Sequence, residues 1–116
     1  MKKISIIALI LIFAACASKK QPVAASNSQA DFDRGAAKFT GYTFDLFTQG
    51  HTLYQQHCGN CHGLKNPASR NEAQWKRIVP EMAIKVNKKE NNVLTADKEE
   101  LILKYCVTMS LSREVK

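Results

Sequence analysis

The sequence predicts an all-α domain of three to four helices, and three observations carry that prediction. The chain has 116 residues, room for one ordinary domain and none for a barrel, a solenoid or a multidomain enzyme. Apolar residues recur at helical spacing around residues 43–58, 71–86 and 95–109, and no stretch alternates convincingly as a strand would. The composition, 45% hydrophobic and 23% charged, is that of a folding chain rather than a disordered polar one.

Residues 1–15 read as a signal peptide. Met1-Lys2-Lys3 makes a basic start, Ile4 to Phe13 is apolar except for Ser5, and Ala14-Ala15 places small residues before a cut. The ten residues from Ile4 to Phe13, at ~1.5 Å rise each, fall well short of ~30 Å of hydrocarbon, so the segment targets rather than spans. Phe13-Ala14-Ala15-Cys16 resembles a bacterial lipobox, whose Cys takes a diacylglycerol thioether and becomes the new N-terminus; Leu is usual where Phe13 stands. The resemblance implies lipidation at Cys16, and Ala17 after it, rather than Asp, implies an outer membrane. Acyl chains at ~0.8 kcal/mol per buried CH₂ make a stable anchor once there are two or more. With an ordinary Cys16 the protein would be soluble in the periplasm.

From Cys16 to Thr40 the chain is rich in Ser, Ala, Gln and Asn, carries Lys19, Lys20 and Pro22, and lacks periodicity. It is expected to be a lipid-anchored flexible tether over 16–40, leaving a domain over 41–116. A domain of that size commonly needs a staple: a disulfide, a metal or a cofactor.

The domain's first helix is expected from a Thr43 N-cap to Cys58. Gly50, Tyr54 and Cys58 fall at four-residue spacing on it. Gly50 costs about 1 kcal/mol of helix propensity against Ala, so a packing reason is expected there. The helix runs into Cys58-Gly59-Asn60-Cys61-His62, the Cys-x-x-Cys-His signal for attachment of c-type haem. Two intervening residues let both thiols reach the two haem vinyl groups, and the adjacent His reaches the iron. Attachment takes place outside the cytoplasm, where the export signal directs this chain. A thioredoxin-like reading would need a βαβ pattern, which is missing. A zinc reading would need a second Cys/His pair at finger spacing, and none follows.

Trp75, Ile78, Val79, Met82 and Val86 recur along one helical face of 71–86. Pro80 lacks an N–H and is expected to bend or interrupt that helix just before Met82. The last helix is expected from a Thr95 cap to about Met109, with Leu101, Ile102, Tyr105, Cys106 and Met109 on one side. Cys106, left over once Cys16, Cys58 and Cys61 have roles, reads as a buried small hydrophobe.

From Thr43 to Ser110 the sequence resembles a class I (mitochondrial-type) cytochrome c domain. The resemblance rests on Gly50-x-x-x-Tyr54-x-x-x-Cys58-x-x-Cys61-His62 and on a C-terminal helix carrying Ile102 and Tyr105. It departs from the family in length, since only 63–94 lie between His62 and Thr95. The resemblance implies a compact cytochrome c fold around one covalent haem c, with Gly50 letting two helices approach and Tyr54 packing on Ile102 and Tyr105. Cys58 and Cys61 would form the thioethers and His62 would be the proximal iron ligand. Trp75-x-x-Ile78-Val79-x-x-Met82 is similar to the arrangement in small bacterial monohaem cytochromes, whose Met is the distal ligand. Met82 is therefore the expected sixth ligand and Met109 the runner-up, while His51 and His57 sit poorly for the opposite haem face. Thioether ligation raises the reduction potential and closes the iron to small ligands. A loop carbonyl near Pro67 is expected to accept the His62 Nδ1–H.

These features imply a carrier of single electrons rather than an enzyme. Its partners would be a membrane respiratory complex or a periplasmic oxidoreductase, with the membrane engaged through Cys16. An open iron would instead imply a ligand-binding haem module, a gas sensor or a weak peroxidase. The net charge is +7, and a loose basic run of Lys76, Arg77, Lys85, Lys88 and Lys89 is interrupted by Glu81 and Glu90. Such a run reads as a solvated face or a docking surface for an acidic redox partner. Nucleic-acid binding does not suit an exported chain.

Overall fold

The computed structural model describes residues 28–113; the expected signal peptide, Cys16 and residues 16–27 of the expected tether lie outside the described residues. In chain order the helices are α1 (Gln29–Lys38), α2 (Phe44–Cys58), α3 (Glu72–Lys89) and α4 (Ala96–Ser110). Single 3₁₀ turns lie at Pro67–Ser69 and Leu111–Arg113. Among the described residues there is no strand, and no helix is long and apolar enough to cross a membrane.

α1 corrects the expected tether. Ser28 and Asp31 form a reciprocal capping box: the Asp31 N–H donates to Ser28 Oγ at 3.1 Å, and the Ser28 N–H donates to the Asp31 carboxylate at 3.3 Å. The helix docks through Gly35, where an added Cβ would overlap Thr108 Oγ1 and stand 2.8 Å from Thr108 Cγ2. Phe32 packs edge-on against Phe44, with ring centroids 5.5 Å apart. Packing thus reaches back past Gly41 at least to Ser28, and the tether expectation fails over 29–38. The helix carries no aliphatic stripe, because a glycine and one ring do its docking. Gly35→Ala is expected to lower the urea midpoint by the equivalent of about 1–3 kcal/mol, the cost of overpacking a close contact. Thr108→Ala in the same chain is expected to recover part of that loss, as coupled neighbours do.

A second tie joins α1 to α3. Lys38 Nζ lies 2.8 Å from the Glu72 carboxylate, which Lys76 also reaches at 2.8 Å. These bonds, Lys38 first and Lys76 second, hold the Glu72 carboxyl below the usual carboxylate range. A lowered carboxyl stabilises the fold above its unfolded pKa and loses that contribution as pH falls through the folded value. Wild type is therefore expected to lose stability faster than Glu72→Gln between pH 5 and pH 3. At this half-buried surface site, open to screening by solvent, the difference stays below about 1 kcal/mol, readable from urea midpoints at the two pH values.

α2 and α4 cross at close range. Thr43 Oγ1 accepts the Leu46 N–H at 3.2 Å to start α2, and Thr95 Oγ1 accepts the Lys98 N–H at 3.4 Å to start α4. At the crossing, a Cβ on Gly50 would overlap the Leu101 carbonyl oxygen and stand 2.9 Å from Tyr105 Cβ. Around that contact the rings of Phe47 and Tyr54 each lie 5.6 Å from Tyr105.

α4 is the central helix. From Tyr105 to Ser110 every residue is buried, Cys106 among them, whereas the expected apolar set lay on one side. The burial is all round because α1 covers the face that α2 and α3 leave open.

α3 starts at Asn71, whose side chain accepts the Gln74 N–H at 2.9 Å while Gln74 Oε1 accepts the Asn71 N–H at 3.0 Å. It runs uninterrupted through Pro80 to Lys89, so of the expected bend or interruption the interruption does not occur. Buried Trp75 and Val79 before the proline, and Ala83 and Val86 after it, clamp both halves of the helix onto the core. The carbonyl that Pro80 leaves without a donor belongs to exposed Lys76, where water can reach it. Asn91 and Asn92 then turn the chain at φ 54° and 59°, a region asparagine enters more readily than most residues.

Candidate functional site

The C-terminal end of α2, the loop over 59–71 and the inner face of α3 enclose a cleft of about 210 Å³, open to solvent. Tyr54 and Cys58 contribute from α2, and His62, Lys65 and Arg70 from the loop. Trp75, Ile78, Val79, Met82, Ala83 and Val86 line it from α3, with Leu94 and Ile102 completing the wall. The lining is apolar apart from the thiol, the imidazole, the Tyr54 hydroxyl, the indole N–H and two cationic side chains; no carboxylate is part of it.

Three of the expected site residues share this cleft. Cys58 closes α2, and burial pushes its thiol up to about 11, so it is neutral at pH 7. His62 is exposed on the loop, and Met82 is half-buried on the facing helix. Cys61 is exposed on the same loop, outside the cleft wall, with Lys89 Nζ donating toward its Sγ at 3.5 Å. Met109 is 5% exposed at the end of α4 and does not line the cleft, which leaves Met82 as the methionine there. Cys16 lies outside the described residues.

The remaining histidines point elsewhere. His51 stacks obliquely on Tyr105 with centroids 5.0 Å apart, and burial lowers its pKa. His57 Nδ1 lies 2.7 Å from the Glu90 carboxylate. Among the described residues no three His, Cys, Asp or Glu side chains converge as a cage for a metal ion.

The His62 ring is held differently from expectation. Its Nδ1 lies 2.9 Å from the Gly63 carbonyl, not a carbonyl near Pro67. A carbonyl only accepts, so Nδ1 carries the proton and Nε2 keeps its lone pair for a ligand. The Pro67 carbonyl is taken by Trp75 Nε1 at 2.8 Å. A buried indole must place its one donor, and Pro67 is the acceptor it meets. A second fastening, Tyr54 Oη donating to the Lys65 carbonyl at 2.5 Å, draws the loop onto α2. Both fastenings join residues distant in sequence, and no local motif announced them.

No family model matches the chain, and no curated protein and no solved structure is detectably similar to it.

Proposed function

We propose that this protein is a monohaem c-type electron carrier of the compact cytochrome c kind, anchored through a lipidated Cys16 on the periplasmic side of a bacterial membrane. The observation that carries the reading is the convergence of Cys58, His62 and Met82 on one apolar cleft, although Met82 is remote from the attachment motif in sequence. The donor set suits the group. Two thiols at Cys-x-x-Cys spacing add across two vinyl groups, each S–H placing sulfur on one carbon and hydrogen on the next, so no oxidant is needed. The His62 Nε2 lone pair and the Met82 thioether, offered from the loop and from α3, would hold the iron. Lys65 and Arg70 give an apolar pocket the charge needed to hold a flat group with acidic side chains.

When bound, the haem supplies a one-electron Fe(II)/Fe(III) couple. The chain's own residues do the rest. Met82 would supply a soft sulfur, a donor that favours Fe(II) and would close the iron to small ligands. The Gly63 carbonyl fixes the His62 tautomer. Ile78, Val79 and Val86 present hydrocarbon to the cleft. Electrons would pass to or from a membrane respiratory complex or a periplasmic oxidoreductase.

The test is a reduced-minus-oxidised visible spectrum of the full chain, made with its export signal in a host that matures c-type cytochromes. A c-type spectrum that survives denaturation, disappears in the Cys58→Ala/Cys61→Ala chain and is unmoved by carbon monoxide is expected. Absence of covalent haem, where a control cytochrome matures, would overturn the reading. A spectrum that shifts with carbon monoxide would replace the electron carrier with an open-iron ligand binder.

A further inference from the structure

We propose that Glu90 is a positioning residue, a carboxylate brace that ties the attachment loop to the end of α3 and so sets the spacing between the His62 and Met82 walls of the cleft. Its consequence for iron ligation rests on the function proposed above; the tie itself does not.

The two oxygens of Glu90 take different partners. Oε2 lies 2.7 Å from His57 Nδ1 and Oε1 accepts from Asn60 Nδ2 at 2.6 Å. His57 immediately precedes Cys58, and Asn60 stands between the two cysteines, so one carboxylate grips the motif on both sides of its first thiol. Lys89, the residue before it, reaches Cys61. The end of α3 therefore touches three residues between 57 and 61.

The brace has a fixed base. The Glu90 N–H donates to the Val86 carbonyl at 2.8 Å, closing α3, and the Asn92 N–H donates to the Asn87 carbonyl at 3.0 Å. The Asn87 side chain then locks the following chain, donating to the Leu94 carbonyl at 2.9 Å and accepting the Leu94 N–H at 2.8 Å. Met82 sits on the same rigid helix, eight residues before Glu90, ~12 Å along the axis at 1.5 Å per residue.

An exposed ion pair is ordinarily worth little. Here geometry rather than charge matters, because α2 and α3 both pack chiefly on α4 and meet each other sparingly. The Glu90 carboxylate is a direct tie across that gap, with the His57 side chain only 15% exposed. No other hydrogen bond given by the described residues joins α3 to the 59–62 loop apart from that of Lys89 to Cys61.

Glu90→Ala, Glu90→Asp and Glu90→Gln in the full chain test this. The readouts are carbon monoxide affinity per covalently loaded, reduced chain and hydrogen exchange of the 59–62 amides, with the urea midpoint separating local from global loosening. Glu90→Ala is expected to raise carbon monoxide affinity about tenfold, the usual scale for losing a partner that orients a metal ligand, and to speed loop exchange. Glu90→Asp, one methylene short of spanning both donors, should follow it. Glu90→Gln should stay close to wild type, since its oxygen accepts from Asn60 and its NH₂ can donate to His57 in the other tautomer. Unchanged affinity and exchange in Glu90→Ala, or an equal loss in Glu90→Gln, would overturn the brace. If wild type carries no covalent haem or already binds carbon monoxide freely, the function proposed above fails instead, and exchange alone decides. Faster exchange in Glu90→Ala but not in Glu90→Gln keeps the brace, and equal rates in all chains remove it.

Discussion

Gly50→Ala is expected to unfold roughly 10 °C below wild type, because the added methyl group meets main chain that cannot give way. The added Cβ would overlap the Leu101 carbonyl oxygen and press to 2.9 Å on Tyr105 Cβ. The first obstacle is main chain in the middle of α4, so it cannot rotate away as a side-chain tip would. Overpacking of this kind costs about 3 kcal/mol at the upper end of its usual range, and alanine's better helix propensity returns about 1 kcal/mol. A net loss of about 2 kcal/mol lowers Tm by ~8–16 °C in a domain of this size. Tyr105 and Phe47, both 0% exposed at that crossing, have no empty space to retreat into. Gly63→Ala is the control: a Cβ there meets nothing within 4 Å, so its Tm should be unchanged. Calorimetry of the three chains in the same haem state decides the matter. Equal Tm values for Gly50→Ala and wild type would show that the two helices can part at no cost, and that the close crossing does not hold the cleft floor in place.

What could be read from the sequence was whatever is signalled locally. Thr43 and Thr95 cap helices because a hydroxyl before an apolar-periodic run has one favourable use. Gly50 is misplaced in a helix unless something presses on it, and the Leu101 carbonyl does. The face from Trp75 to Val86 announced α3 by period alone. The misreadings involve competition that only the folded chain decides. Pro80 is a strong local breaker, yet the packing of Trp75 and Val79 on one side and Ala83 and Val86 on the other outweighs it. The His62 Nδ1–H meets the adjacent Gly63 carbonyl rather than one near Pro67, where the Pro67 carbonyl itself accepts from the Trp75 indole and the Arg70 N–H. α1 did leave a signal: Ser28-x-x-Asp31 is a capping-box pattern. The all-round small and apolar run Tyr105-Cys106-Val107-Thr108-Met109 was its counterpart, since a helix end of that kind needs cover on every face. The Glu90 tie left no trace, because its partners lie 30 and 33 residues away.

With the haem proposed above in place, Met82→Ala is expected to convert a reduced protein that ignores carbon monoxide into one that binds it stoichiometrically, with covalent haem and the His62 linkage retained. The cleft makes this a sharp comparison, because Met82 lines it and Met109 does not. Removal of a half-buried thioether sacrifices some packing, about 2 kcal/mol at the low end for Met→Ala, so the altered chain should still fold. Met109→Ala is the opposite case. That side chain is 5% exposed in the core, so its loss should cost nearer the upper end of about 2–5 kcal/mol and leave the iron closed. Met82→His carries the argument one step further. An imidazole in place of the thioether keeps the iron six-coordinate but removes the soft sulfur that favours Fe(II), so the potential should fall while carbon monoxide stays excluded. These three chains separate ligation from packing, because loss of the iron-bound sulfur opens the iron, its replacement by an imidazole recloses it at a lower potential, and loss of a core methionine does neither. If Met82→Ala left carbon monoxide excluded and the potential unmoved, the sulfur would not be the sixth ligand. The α3 face from Trp75 to Val86 would then serve only to wall the cleft.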